Sequence, residues 1–544
     1  MCRLVMIGGV AGGMSAATRA RRLDEKAQIT VIEKGGYISF ANCGLPYHLG
    51  GKIEQEKDLL LTDPQKVWKR FRIDARVNEE ALSIDRTHKT ITVRKCLDGT
   101  VYTLAYDKLI LAPGASAITP PLPYVDASNV FQLRSMEDMK RIREFLQNPS
   151  VRHMTIIGGG FIGLEMAESM IERGLNVAVV EKMPRVLPPI DPDMARFVES
   201  ELKKHGVAVY SNNGLKALRG SPEKVREVEL EDGTVLATDV VLMSIGVRPN
   251  VRLAKEAGLT IGTTGAIEVN QYHQTSDPDI YAVGDAAEVV HTVHGKKTRI
   301  PLAGPANRQG RLAGEHAVTG QAPPIGTVSG TAIVKVFDLT VAVTGLGEKP
   351  AKENGFDVDT AYVIANHHAG YYPGAQPLRI KLIYDKTTQR ILGGQIIGRS
   401  GVDKRIDVLA TAIQFQATIE HLATLDLAYA PQFGSAKDPI HLAGFIAMNQ
   451  LRKISQGATL DQTENDILVD VRTPAEFDSG TLPRAVNIPL EQLRERVSEL
   501  DPNKPVTVFC QIGQRGFVAE RILRQYGFKN VRNLKGGYAM VAEE

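Results

Sequence analysis

A strand, a glycine-rich turn, a helix and a second strand ending in an acid occur twice in this chain, and few patterns constrain a fold as tightly. The first copy runs from Leu4 to Ile7, through Gly8-Gly9-Val10-Ala11-Gly12-Gly13 and Ala16 to Arg22, to Ile29–Ile32 and Glu33. The second runs from Met154 to Ile157, through Gly158-Gly159-Gly160-Phe161-Ile162-Gly163, to Val177–Val180 and Glu181. Each spells a βαβ unit suited to a dinucleotide. The glycines make a tight turn, the helix N-terminus offers N–H groups and a positive dipole end to a pyrophosphate, and the acid accepts ribose hydroxyls. Val10 stands where the second glycine is usual, so the backbone approach to phosphate differs in the first copy. Glu181 favours NADH over NADPH, because a 2′-phosphate would meet a carboxylate, and the adjacent Lys182 softens that preference.

Other segments extend this α/β pattern. Lys108–Ala112 closes on Pro113-Gly114, Asp239–Ile245 closes on Gly246, and Ile280–Gly284 puts Asp285 at a strand end, suited to a ribityl hydroxyl. At 544 residues three or four domains are expected. Lys+Arg 65 against Asp+Glu 62 gives no reason to expect bulk nucleic-acid or membrane-surface binding. No apolar run is long enough to span a bilayer. Cys2, Cys43, Cys96 and Cys510 form no CxxC and no secretory leader precedes the first strand, so reduced thiols in the cytoplasm are expected.

Two of these cysteines sit in contexts of their own. Cys43 lies in Ser39-Phe40-Ala41-Asn42-Cys43-Gly44-Leu45-Pro46-Tyr47, with His48 five residues on, so it has no second thiol to store electrons as an internal disulfide. It must cycle through a mixed disulfide, a persulfide or a sulfenic acid. A helix N-terminus beside it is expected to lower its pKa until the thiolate dominates. Cys510 follows the apolar run Val506–Phe509 and opens a six-residue loop, Cys510-Gln511-Ile512-Gly513-Gln514-Arg515. Gly513 permits the turn and Arg515 adds positive charge. Cys2 and Cys96 read as structural.

Residues 1 to 447 resemble the pyridine nucleotide–disulfide oxidoreductase family, and the segment around Cys43 resembles its coenzyme A disulfide reductase branch, with NADH oxidases and peroxidases nearby. Beyond a polar linker at 448–459, Asp470-Val471-Arg472-Thr473-Pro474-Ala475-Glu476-Phe477, the Cys510 loop and Gly536-Gly537-Tyr538 resemble a rhodanese domain, with Thr481 at its usual histidine. The resemblance implies an FAD domain over 1–150 and 255–325, an NAD(P)H domain over 151–254, an α+β dimerisation domain over 326–447 and an α/β rhodanese domain over 460–544. It places FAD against Gly8, Val10, Ala11, Gly13, Glu33, Lys34, Asn42, Ala112, Gly114, Arg134, Asp285, Leu302 and Ala303. NAD falls to Gly158, Gly160, Ile162, Gly163, Glu181 and Gly246. Coenzyme A, as substrate or bound ligand, falls to Ser15, Arg19, Arg22, Ser39 and Asn42, with Arg70 or Arg72 adding to the phosphate site.

The resemblance also implies a homodimer, in which Tyr371, Tyr372 and Tyr429 approach the partner's cysteine and flavin. Those phenols either donate a proton to a departing sulfide or pack the interface. His367 and His368 have no third ligand in reach, so no metal site is expected. The implied activity is FAD-dependent NAD(P)H reduction of coenzyme A persulfide, polysulfide or coenzyme A disulfide at Cys43, with Cys510 relaying sulfane sulfur and Arg515 supporting its loop. The alternatives are an NADH oxidase or peroxidase cycling a Cys43 sulfenate, and a redox-responsive sulfur carrier or sensor.

Overall fold

The computed structural model describes residues 2–542 and divides into two compact units. In the first unit, five parallel strands run in the order Ile280–Ala282, Lys108–Leu111, Arg3–Ile7, Gln28–Glu33, Ile73–Val77. Both faces of the sheet are buried, which is why its strands read as continuous apolar runs rather than alternating ones. The helix after the first glycine turn, Ala11–Leu23, packs on a segment nearly 300 residues away, the helix Ala303–Thr319. Small residues allow the close approach: a Cβ on Gly310 would lie 2.1 Å from the Gly12 carbonyl oxygen, and one on Gly314 would lie 2.5 Å from that of Ala16.

The second sheet is also parallel, in the order Ala208–Tyr210, Asn176–Val180, His153–Ile157, Val240–Met243, Val130–Phe131. Its last strand lies on the FAD side of the boundary expected at residue 150, and so corrects that boundary. Val130–Phe131 is too short to carry a pattern of its own. It is held by the buried Asn129, whose amide donates to the carbonyls of Val225 and Asp239 and accepts from the Val225 N–H.

The second unit holds two sheets. One is antiparallel, in the order Ala332–Val336, Leu339–Gly345, Ile391–Gly398, Pro377–Asp385, Val358–Asn366. The other is parallel, in the order Gly457–Ala458, Val531–Leu534, Val506–Phe509, Ile467–Asp470, Val486–Asn487. The stretch 448–459 is therefore not all linker. A helix capped by Asp438 continues to Leu451, and Gly457–Ala458 forms an edge strand, so only Arg452–Gln456 connects the two. Lys535 ties the sheets together, donating to Asp359 at 2.6 Å and to the Thr360 hydroxyl at 3.0 Å.

Lys381 is 2 % exposed within the antiparallel sheet, with Asp191, Asp193 and Glu348 at 2.8, 2.9 and 3.0 Å. Lys381→Met would leave these carboxylates facing one another. A loss of about 3 kcal/mol is expected, read as a lower denaturant midpoint for this unit. An unchanged midpoint would show that water already screens the cluster. Among the described residues no helix is long and apolar enough to cross a membrane.

Candidate active sites

The C-terminal ends of the first sheet open into a cleft of about 1770 Å³. Gly8 must be glycine: its φ is +105°, and a Cβ there would lie 2.0 Å from the Ala112 carbonyl oxygen. Neither the Ala11 helix nor the Ala303 helix has a side-chain cap, so both present free N–H groups at the cleft, a fit for the phosphates of a dinucleotide. Glu33 accepts from the N–H groups of Gly9 and Gly35, which fixes its carboxylate at the strand end. Of the residues expected to hold FAD, Gly8, Val10, Ala11, Glu33, Lys34, Asn42, Ala112, Gly114, Arg134, Asp285 and Ala303 line the cleft. Gly13 and Leu302 do not. Gly13 packs behind the turn, where a Cβ would meet the Gly8 carbonyl oxygen at 1.8 Å, and Leu302 serves as the N-cap of its helix.

Cys43 sits on the same cleft, exposed, in the single turn Asn42–Gly44 that leads into the helix Leu45–Leu49. The expected lowering of its pKa is not supplied by the protein. Loss of solvent and the charges of Glu165 and Asp285 push the thiol up, and Arg134 offsets this only in part. Arg134 itself donates to Asp285 at 3.3 Å and to the Ala115 carbonyl at 2.9 Å, and its own carbonyl accepts from Asn42. His48 is buried, with its Nδ1 2.7 Å from the Ile53 carbonyl oxygen and Nε2 3.2 Å from Arg143.

Glu165 accepts a 2.9 Å hydrogen bond from Tyr47; Tyr47 ends the pattern around Cys43, but nothing in that pattern points to Glu165. Glu165→Gln is expected to move the pH midpoint of Cys43 alkylation downward, because a negative neighbour is removed. Peptide mapping separates Cys43 from the exposed Cys96. A midpoint that stays in place would show that Glu165 does not act on the thiol.

The coenzyme A positions divide. Ser15, Ser39 and Asn42 line the cleft, Ser15 donating to Asn307 and Ser39 held at φ +45°. Arg19 does not line it: its guanidinium donates twice to Glu315, at 2.9 and 2.6 Å, so its charge is already compensated. Arg22 is exposed and lies 5.5 Å over the Phe71 ring, which it shares with Arg70 at 5.2 Å, whereas Arg72 lies over Trp68. Arg70 thus shares a ring with Arg22, and Arg72 lies on a different one.

At the second glycine turn, Gly158 and Gly163 are enclosed by backbone, but a Cβ on Gly160 would meet nothing within 4 Å. That open space above the helix Phe161–Glu172 fits a pyrophosphate. Glu181 accepts from the N–H groups of Gly159 and Met183, and Lys182 is paired with Glu231 at 3.0 Å. Ile162 lies in the first turn of that helix, and Gly246, at φ +106°, follows the strand Val240–Met243.

In the second unit Cys510 is 1 % exposed at the end of Val506–Phe509. Gly513, at φ +89°, turns its loop into the helix Gln514–Gln525. The Tyr538 and Ala539 N–H groups donate back to the carbonyls of Cys510 and Gln511. Arg515 closes the loop, where its charge acts on Cys510, and it is bound by Glu476. Thr481 donates to Asp470, which holds the buried Arg472. On another face the Tyr371 and Tyr429 hydroxyls lie 3.1 Å apart, Tyr371 being 77 % exposed, while Tyr372 packs edge-on to His368.

The model of the pyridine nucleotide-disulphide oxidoreductase family matches residues 2–310, that of its dimerisation domain 331–438, and that of the rhodanese-like domain 453–544. This chain is a pyridine nucleotide-disulphide oxidoreductase. The oxidoreductase is similar to an NADH oxidase of Methanocaldococcus jannaschii, 36 % identical over 82 % of this chain and 99 % of the relative. It is 33 % identical to coenzyme A disulfide reductase of Staphylococcus aureus, over 82 % of this chain and all of the relative. Two solved structures match nearly the whole oxidoreductase. Reduced CoADR-RHD of Bacillus anthracis has a TM-score of 0.95 at 44 % identity, covering 99 % of this chain and 97 % of that one. A NAD-dependent persulfide reductase from A. fulgidus has a TM-score of 0.95 at 39 % identity, covering 99 % and 100 %. The fold is therefore α/β dinucleotide-binding domains, a dimerisation domain and a C-terminal rhodanese domain, and the family works with FAD and a nicotinamide nucleotide.

Proposed function

We propose that this oxidoreductase is a cytoplasmic homodimer that uses NADH to reduce coenzyme A persulfide, polysulfide or coenzyme A disulfide at Cys43, while Cys510 carries sulfane sulfur. The observation that carries this reading is one exposed thiol on the flavin cleft and one buried thiol in a rhodanese loop, in a chain matched along nearly its full length by a persulfide reductase. FAD bound in the cleft supplies the route by which two electrons reach sulfur from NADH. The Cys43 thiolate attacks the S–S bond of the acceptor, forming a disulfide or persulfide on Cys43 and expelling coenzyme A thiol or hydrosulfide. Arg22 and Arg70 would hold phosphate, and Ser39 and Asn42 would orient the sulfur end. Arg19 serves better as the partner of Glu315 than as a ligand. Tyr371 and Tyr429 form one phenol pair, suited to deliver a proton to the leaving sulfur of the partner subunit.

The acidic Glu181, with Lys182 engaged by Glu231, supports preference for NADH. The test is anaerobic NADH consumption with coenzyme A persulfide, polysulfide and coenzyme A disulfide at matched concentrations. A kcat/KM advantage for persulfide or polysulfide is expected. Turnover confined to the disulfide would make the chain a coenzyme A disulfide reductase and leave the rhodanese domain without a substrate. The similarity to the M. jannaschii NADH oxidase favours a second reading, oxygen reduction through a Cys43 sulfenate. It predicts aerobic NADH consumption that outpaces every sulfur acceptor.

A further inference from the structure

The charges around Cys510 are cancelled in a way that sulfur transfer alone does not require. Two cations touch the loop. Arg472 donates to the Gln511 side chain at 3.1 Å, but it is buried and bound to both carboxylate oxygens of Asp470. Arg515 closes the loop and its charge acts on Cys510, yet its two Nη atoms each donate to Glu476 at 2.7 Å in a fork-to-fork pair. Arg515 in turn holds the Glu476 carboxyl at about 2, so the pair is ionised throughout the neutral range. The loop residues that face solvent, Ile512 and Gln514, carry no charge.

A donor such as thiosulfate is a dianion, its charge shared between the sulfane sulfur and the oxygens, and both charges reside on the sulfite that departs. To bind here it would have to compete with Glu476 for Arg515 and sit beside that carboxylate. An alkyl persulfide brings at most one charge, on the sulfur that Cys510 takes, and an uncharged arm that Ile512 can cover. We propose that Glu476 is a specificity-determining residue of the Cys510 site, cancelling the charge of Arg515 so that the loop takes sulfane sulfur from organic persulfides and rejects thiosulfate. Repulsion of the wrong donor, rather than added attraction for the right one, sets the choice. The step is balanced: the Cys510 thiolate attacks the outer sulfur of R–S–SH, the S–S bond breaks, and Cys510 persulfide and R–SH result, the proton passing to the departing thiolate. The proposal rests on the reading of Cys510 as a sulfur-transfer nucleophile.

The test uses the full-length enzyme without NADH and follows thiocyanate formed from cyanide, with pantetheine persulfide or thiosulfate as donor and Cys510→Ser as background. The wild type is expected to transfer from the persulfide and barely from thiosulfate. Glu476→Gln is expected to raise kcat/KM for thiosulfate about tenfold or more while that for the persulfide changes by about twofold at most. Comparable wild-type use of both donors, or no gain in a folded Glu476→Gln enzyme, overturns the proposal. Because Glu476 also caps the helix Pro474–Asp478, Gln514→Lys provides a second route. It adds a cation at the mouth without touching the cap, and if Glu476→Gln does not fold, a gain with thiosulfate in Gln514→Lys supports the proposal and its absence overturns it. Transfer from neither donor above background would instead remove the sulfur-transfer reading of Cys510, and the proposal with it.

Discussion

Replacing Cys43 by serine is expected to lower NADH-dependent reduction of every sulfur acceptor by about a thousandfold or more, while NADH still bleaches the flavin at close to the wild-type rate. The two readouts separate because they use different residues. Flavin reduction needs the nucleotide turn at Gly158–Gly163, Glu181 and the residues that hold the flavin, such as Gly8 and Glu33, and none of these changes. Reduction of the acceptor needs a sulfur nucleophile that can form and release an S–S bond, which a serine hydroxyl cannot do. No other described cysteine lines the cleft. His48, five residues on, is locked between the Ile53 carbonyl and Arg143. Stopped-flow bleaching of the flavin absorbance, followed by addition of coenzyme A persulfide, measures both steps in one experiment. Reoxidation at an undiminished rate would show that the acceptor takes electrons without a protein thiol, and the assignment of Cys43 would fall.

Much of this site is legible because its parts are local in sequence. A glycine turn and its helix lie within a dozen residues, so Gly8 and Gly158 announce themselves, and the acid that follows is placed by strand register. What was not legible depends on pairs far apart in the chain. Arg19 looks like a free cation until the helix Ala303–Thr319 brings Glu315 against it, 296 residues away. Besides loss of solvent, the charge of Glu165 pushes the Cys43 thiol up, and Glu165 is carried by the helix after the second glycine turn. Val130–Phe131 joins the second sheet only because Val240–Met243 offers it an edge. The polar stretch at 448–459 read as a linker because a helix end and a two-residue edge strand leave no periodicity. Glu476 was visible in its motif, but nothing in the motif says that its carboxylate closes on Arg515, 39 residues later.

The rhodanese loop should be equally sensitive to a single methyl group. Gly537 has φ +66°, and a Cβ there would lie 2.4 Å from the Cys510 carbonyl oxygen and 2.7 Å from the Gly513 nitrogen. Both neighbours are backbone, so no side chain can swing aside; the conformation, φ +66° and ψ −162°, is one only glycine adopts readily and alone costs an alanine about 1–3 kcal/mol. The Cys510 carbonyl must move, and with it the 2.8 Å hydrogen bond it accepts from Tyr538. That shift would turn the loop N–H groups away from the sulfur they are expected to surround. Gly537→Ala is therefore expected to lower cyanide-trapped sulfur transfer by about tenfold or more, approaching the complete loss expected of Cys510→Ser. Reduction of coenzyme A disulfide at Cys43 should stay within about twofold in both variants, since neither substitution alters a residue of the flavin cleft. A thermal melt of each variant distinguishes a reshaped loop from an unfolded domain. Sulfur transfer that survives in a folded Gly537→Ala enzyme would show that persulfide at Cys510 does not need the backbone cradle. Parallel loss of disulfide reduction would show that the two thiols do not work independently.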